Sequence, residues 1–535
     1  MAARVKLFRL EILVFVLFVV SRMFSLGHDN FNTDVWRWKA RTYDFGNGVF
    51  QGDFKKTIQV YHPGVSLMWV GSAGVKFYNL QKDLVKKETG EAELTSIFGL
   101  DFFQKLFIVL VTGFTIASIF YSLRLLFGVT YATISIALIS LEPFFVALSR
   151  VIHLEGLMSI FLLAAFVWFY FYLENKFKTR YLVLAAFFSA LALLTKSSAF
   201  FIVLFTILMA FTFNTFSRKA FTQVGKYLLL VVLFFFILWP GMWVAPGEAL
   251  KAYTTGIFTV GVEGGHEQFY FGKFTLDPGP TFYPVVFVFR SSVYVLIGLI
   301  GYLITFRKIK DQKLKVFTLY ALLFTLIYAV EVTIPSKKLD RYLLPSIISS
   351  CLVGAAFYST LLEKLSKSRV NRKVIFSFLL FAPSVLTAVI LHPDYLSYYN
   401  PLFGGLRKGI NVIEPKWMIG VPEIVEYFQE KLDSGEVQPF FEGQSLSKLL
   451  YKKELHTKLT VAFPEKYYSQ VWPFIREMGG WAIVEALGPE AQNAYYFVYP
   501  VWEDRSTFKD EYGLKFEGTI NIRGVPVYNV YKRSQ

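Results

Sequence analysis

Apolar runs of about 20 residues, the length of helix that crosses a hydrocarbon core about 30 Å thick, recur along most of this chain and limit its fold more than any other feature. Eleven spans are expected, beginning near residues 7, 103, 129, 156, 180, 198, 227, 284, 315, 342 and 374. Composition agrees, because 54% of the 535 residues are hydrophobic and 19% aromatic, beyond what an ordinary soluble domain carries. The first run, LEILVFVLFVVSRMFSL, has no small-residue cleavage site and reads as a retained helix rather than a signal peptide. Cys351, the single cysteine, lies inside an apolar run, so no intrachain disulfide is expected.

The net charge of +16 raises the question of nucleic acid, and the placement of the charge answers it. Basic residues gather in every second connection: Arg4, Lys6 and Arg9; Arg124; Lys176, Lys178 and Arg180; Arg218, Lys219 and Lys226; RKIKDQKLK (307–315); and EKLSKSRVNRK (363–373). That alternation is the positive-inside pattern of cytoplasmic loops. The amino terminus is therefore expected to be cytoplasmic, the charge sets topology, and nucleic-acid binding is excluded. The opposite face receives a long loop at 28–102, a Gly/Pro/aromatic loop at about 245–283, and everything after about residue 392. That last region, with the alternating TINIRGVPVYNVYK (519–532) and the helical PEIVEYFQEKL (422–432), predicts a small α/β domain. The expected architecture is thus mainly α: a polytopic transmembrane domain over 1–392 with a catalytic external loop at 28–102, followed by an extracytoplasmic α/β domain over 393–535.

On this outer face, ionisable residues stand at the ends of the apolar runs: Asp34, His62, Lys105, Arg150, His153, Glu155, Lys196, Lys337, Lys338 and Arg341. Charges at membrane depth are expensive and mark functional cavities, although a single Lys or Arg there also serves as a snorkelling anchor. Convergence from several loops suits an enzyme acting on a lipid with an anionic head group. A sugar leaving a polyprenyl phosphate needs positive charge at the phosphate and a carboxylate to take a proton from the acceptor hydroxyl. Asp34, just beyond the first span in NTDVWRWK (32–39), is the candidate base, with helix N-capping as its alternative role. Lys105, Arg150, Lys196, Lys337, Lys338 and Arg341 are candidate phosphate ligands, of which two or three can share one phosphate. Trp36 and Trp38 either stack on a sugar or belong to the interfacial aromatic belt. GVEGGHEQFYFG (261–272) is rich enough in glycine to act as a lid.

Five motifs carry a resemblance. YHPGVSLMWVG (61–71) is similar to the His-Pro motif in the first external loop of the protein O-mannosyltransferases and lipid A aminoarabinose transferases, multi-span glycosyltransferases of the GT-C superfamily. EPFFVALSRVIHLEGLMSIFL (142–162) resembles their Arg-then-acid segment, with Arg150 and Glu155 in the matching places. ALLTKSSAF (192–200), KKLDRYLLPS (337–346) and HPDYLSYYNPLFGG (392–405) resemble their LTKG turn, their RYLLP segment and the junction into their outer domain. The resemblance implies inverting transfer of a sugar, most often mannose, from a polyprenyl-phosphate donor to a protein Ser/Thr or a cell-envelope glycan or lipid. It puts Asp34 at the acidic position that acts as or supports the base, and Lys105 where relatives carry a base near the donor phosphate. Many relatives have two adjacent acids in this loop, whereas Val35 follows Asp34 here, so Asp29 or Glu155 is a candidate second acid. His62, Glu155 and Trp36 are expected to orient substrate, His62 alternatively serving the helix start at Pro63. His153 and Glu155 are the candidate ligands for a divalent metal, the one cofactor considered.

A transporter or flippase of lipid-linked sugars is the competing class. It would show internal repeats and broken helices with charges near the midplane. Here the charges gather at one interface and an outer α/β domain follows.

Overall fold

In the computed structural model, which describes residues 8–59, 63–89, 96–213, 217–256, 267–366, 370–440, 457–485, 494–503 and 513–534, a helix covers each expected span. Among the described residues five are long and apolar enough to cross a membrane: Ile97–Leu141, Leu154–Glu174, Arg218–Leu238, Gln312–Thr333 and Asp340–Lys364. A sixth arises if Phe282–Arg290 and Val293–Lys308, bent by 111°, count as one broken span. Part of the difference from eleven has a physical origin. Ile97–Leu141 holds two expected spans, separated by the non-helical Gly128. Thr179–Thr195 and Ser197–Phe213 are shorter than a straight crossing requires.

The chain divides into a larger unit (Met1–His28, Arg37–Gln268, Phe274–Phe403) and a smaller one (Asp29–Trp36, Phe269–Lys273, Gly404–Gln535). In the larger unit, Leu154–Glu174 is apolar all round and is buried along every residue from Leu154 to Leu173. Arg218–Leu238 instead exposes Phe221, Leu229 and Val232, the surface expected toward lipid. Hydrocarbon gives helices no hydrophobic reason to associate, so packing must hold them. Phe166 stacks on Phe317 at 5.3 Å and meets Phe205 and Phe324 at 5.8 and 5.6 Å. Each such pair contributes roughly 0.5–1.5 kcal/mol beyond its buried area.

The bend at Ser291–Ser292 would orphan backbone groups in an apolar setting, and side chains take them up. The Ser291 carbonyl accepts from Asn400 Nδ2 at 2.8 Å, and the Ser292 N–H donates to the buried Glu142 carboxylate at 3.0 Å.

The smaller unit holds a five-stranded sheet in the order Trp481–Val484, Thr460–Phe463, Tyr496–Pro500, Val525–Arg533, Leu514–Ile522. The first three strands run parallel and the last two pair antiparallel. Ala462, Ile483, Phe497, Tyr499 and Tyr531 form a core on it. The final hairpin turns at Arg523 and Gly524, with φ of 48° and 76°. Positive φ at both positions belongs to the tight turn that matches strand twist. Helices Val421–Asp433 and Glu465–Glu477 complete the α/β character read from the sequence.

Candidate functional site

Glu155 lies in the first turn of Leu154–Glu174, where the helix dipole favours a carboxylate, and it is 1% exposed. Three basic groups meet it. Lys196, at the C-terminal cap of Thr179–Thr195, brings Nζ to 3.0 Å from Oε1. His153 Nδ1 contacts Oε2. Arg341, on the turn Asp340–Leu343, places Nε 3.7 Å from Oε1. Lys196 also lies over the Tyr342 ring at 3.7 Å, a cation–π contact. One carboxylate therefore gathers a lysine, an arginine and an imidazole in a buried place. Basic side chains brought together at membrane depth are the kind of group that can hold an anion.

The His-Pro segment reaches the same turn. The Gly64 N–H donates to the Thr195 carbonyl at 3.2 Å, and Ser66 Oγ donates to the Leu191 carbonyl at 2.8 Å. Gly64 has φ +59°, and a Cβ there would lie 2.3 Å from the Trp38 ring. Glycine is thus required twice over, by backbone and by space. Trp38, 3% exposed, is a core residue against Gly64. His62 lies outside the described residues, as does 261–266 of the expected lid. The rest of that lid enters a short hairpin of Gln268–Tyr270 and Lys273–Thr275.

The remaining expected phosphate ligands form separate groups. Lys105 pairs with Asp101 at 2.6 Å, and Lys39 pairs with the same carboxylate at 2.7 Å and donates to Gln104 at 2.9 Å. Burial lowers the Lys39 ammonium from its ordinary value, and Asp101 beside it acts in the other direction. Two buried lysines thus share one buried carboxylate. Arg150 donates to the Phe24 carbonyl at 2.6 Å and stands over Tyr395 at 5.3 Å. Lys338 pairs with Asp277 at 2.7 Å, and Lys337 is half-buried. Lys39, Asp101, Arg290 and Asp340 were not singled out by the sequence. The available signal was Arg290 alone in the apolar run FYPVVFVFRSSVYVLIG, a charge at membrane depth.

Asp34 belongs to the smaller unit, is half-buried and directly precedes the helix Val35–Gln51; its N–H donates to Asn32 Oδ1 at 3.0 Å. Trp36 donates from Nε1 to the Ser469 carbonyl at 2.6 Å, stacks on Phe31 at 5.5 Å and meets Trp472 at 5.2 Å. Among the described residues no three metal-ligating side chains come together. His153 and Glu155 touch each other, and the second Glu155 oxygen faces Lys196. That donor set does not fit a divalent ion, and no step is assigned to one.

Residues 92–243 match the family model described as dolichyl-phosphate-mannose-protein mannosyltransferase. Solved structures similar to the chain include ArnT from Cupriavidus metallidurans in the apo state, 13% identical, covering 99% of this chain and 98% of that one at a TM-score of 0.49. The same protein bound to undecaprenyl phosphate is 13% identical over 97% of each chain, with a TM-score of 0.46. The oligosaccharyltransferase AglB from Archaeoglobus fulgidus, in complex with an inhibitory peptide and a dolichol-phosphate, is 13% identical, covering 98% of this chain and 74% of that one at a TM-score of 0.43. No curated protein matches. Two of the five motifs, around Glu155 and Lys196, fall inside the matched residues, and over 92–243 the chain resembles the dolichyl-phosphate-mannose-protein mannosyltransferases, as the motifs led one to expect.

Proposed function

We propose that the chain is an integral membrane glycosyltransferase that moves a mannose-like hexose from a polyprenyl-phosphate donor to a hydroxyl acceptor, protein Ser/Thr or envelope glycan or lipid, on the extracytoplasmic side. The observation that carries this reading is the buried cluster of Lys196, His153 and Arg341 around Glu155, of which His153, Glu155 and Lys196 lie in the segment matching the mannosyltransferase model over 92–243. Asp34 takes the proton from the acceptor hydroxyl. The acceptor oxygen attacks the anomeric carbon, and the bond to the phosphate oxygen breaks, leaving its electron pair on the lipid phosphate. A single displacement inverts the anomeric centre. Lys196 and Arg341 meet the charge that develops on the departing phosphate, with Lys105, Arg150, Lys337 and Lys338 as the further candidate phosphate ligands. Glu155 holds the bases in place, while His62 and Trp36 orient substrate.

In this reading residues 1–392 carry the spans and 393–535 stand outside. The test is a screen of purified protein in detergent against radiolabelled polyprenyl-phosphate sugars, with mass identification of products. One donor is expected to give a product heavier by one hexose, together with free polyprenyl phosphate. Absence of transfer from every donor, alongside movement of lipid-linked sugar across proteoliposomes, would replace the enzyme with a flippase.

A further inference from the structure

Arg290 ends the helix Phe282–Arg290, immediately before the 111° bend, and is 1% exposed. Its guanidinium is engaged on three sides. Nη1 donates to the Leu396 carbonyl at 2.9 Å and the Tyr398 carbonyl at 2.7 Å. Nη2 lies 2.7 Å from Asp340 Oδ2 and 3.2 Å from the Tyr399 hydroxyl, and the group rests over the Tyr399 ring at 4.0 Å. Asp340 in turn uses its other oxygen, Oδ1, to accept the Arg341 N–H at 2.8 Å. An unbroken chain of contacts therefore runs from the bent span, through one carboxylate, to the backbone of the residue whose side chain faces Glu155.

We infer that Arg290 is a positioning residue for the phosphate site: through Asp340 it fixes the turn Asp340–Leu343 and hence where the Arg341 guanidinium is held. This rests on the reading that Arg341 meets the donor phosphate. The geometry demands arginine. Two carbonyls, a carboxylate and a hydroxyl surround one planar fork of donors, and an ammonium at the same place has three donors and no plane. The anchor is itself fixed, because Glu142 and Asn400 hold the next two residues, Ser292 and Ser291. Asp340 carries no charge surplus of its own to the site; it is neutralised by Arg290. Its contribution is location.

The probe is undecaprenyl phosphate, titrated into full-length protein in detergent and followed as a dissociation constant. Arg341→Gln removes the ligand directly. Arg290→Lys removes the fork. Asp340→Asn is the milder variant, since an amide must give up either the Arg290 contact or the Arg341 N–H while the bonds from Arg290 to the Leu396 and Tyr398 carbonyls survive. It carries the test if Arg290→Lys does not fold. Arg290→Lys and Asp340→Asn are each expected to weaken binding roughly tenfold or more, as loss of a charge-assisted contact does. In an Arg341→Gln background they should weaken it no further, because residues acting through one another are not additive. Wild-type affinity in both single variants, or losses that multiply with that of Arg341→Gln, would overturn the inference while leaving the proposed function intact. Wild-type affinity in Arg341→Gln itself would instead remove Arg341 from the phosphate site, and the positioning role with it.

Discussion

Two carboxylates occupy different situations. Glu155 is buried, with one oxygen toward Lys196 and Arg341 and the other against His153, so it serves as a counter-ion that gathers bases. Asp34 is half-buried ahead of a helix start, and the proposed mechanism gives it the base role. Asp34→Asn keeps size and hydrogen bonding but removes the proton acceptor. Turnover should fall by about 10²–10⁴ with donor binding retained, because the phosphate contacts come from other side chains. Single-turnover rates and undecaprenyl phosphate affinity on the same preparation check this, and near-normal turnover would pass the role to Asp29 or Glu155. Glu155, Lys196 and Arg341 were legible one by one because each ends an apolar run, where a charge needs a reason. Their meeting was not, since it joins positions 41 and more residues apart. Arg290 and Asp340 stayed hidden because their importance lies in contacts with each other and with backbone carbonyls, which no local pattern records.

At the scale of elements, the apolar runs foretold where helices lie better than how each crosses. The bend between Phe282–Arg290 and Val293–Lys308 has no proline or glycine to announce it. Its exposed backbone groups are taken up by Glu142 and Asn400, residues more than 100 positions away. The β character of the closing strands was legible for the opposite reason: alternation in TINIRGVPVYNVYK is a local signal. Beside the same sheet, burial alone would raise the Glu436 carboxyl, but hydrogen bonds from Lys431, Lys532 and Tyr496 outweigh it and bring the group down to about 2. A folded pKa below the unfolded value of about 4.3 stabilises above that value and is lost as pH falls through about 2. Protection from hydrogen exchange along Val525–Arg533, taken relative to the intrinsic rate at each pH, should fall across that acid window, and Glu436→Gln should flatten the dependence. An acid slope unchanged by the substitution would show that Glu436 does not contribute to it.

At the scale of the whole molecule, the basic connections predict which face is which. On a Cys351→Ala background, a cysteine at position 310 should react with an impermeant thiol reagent only from inside, and one at position 480 only from outside. Labelling of position 310 from outside would invert the topology and with it the side on which transfer occurs. The division of the chain into units adds something no composition profile contains. The smaller unit is assembled from three stretches, and Asp29–Trp36 is one of them, with Phe31 against Phe474 and Trp36 against Trp472. A graft of Gly404–Gln535 onto a relative would separate those two rings from Phe474 and Trp472. The unit is therefore discontinuous in sequence, and to exchange it with its packing intact is to exchange the candidate base along with it.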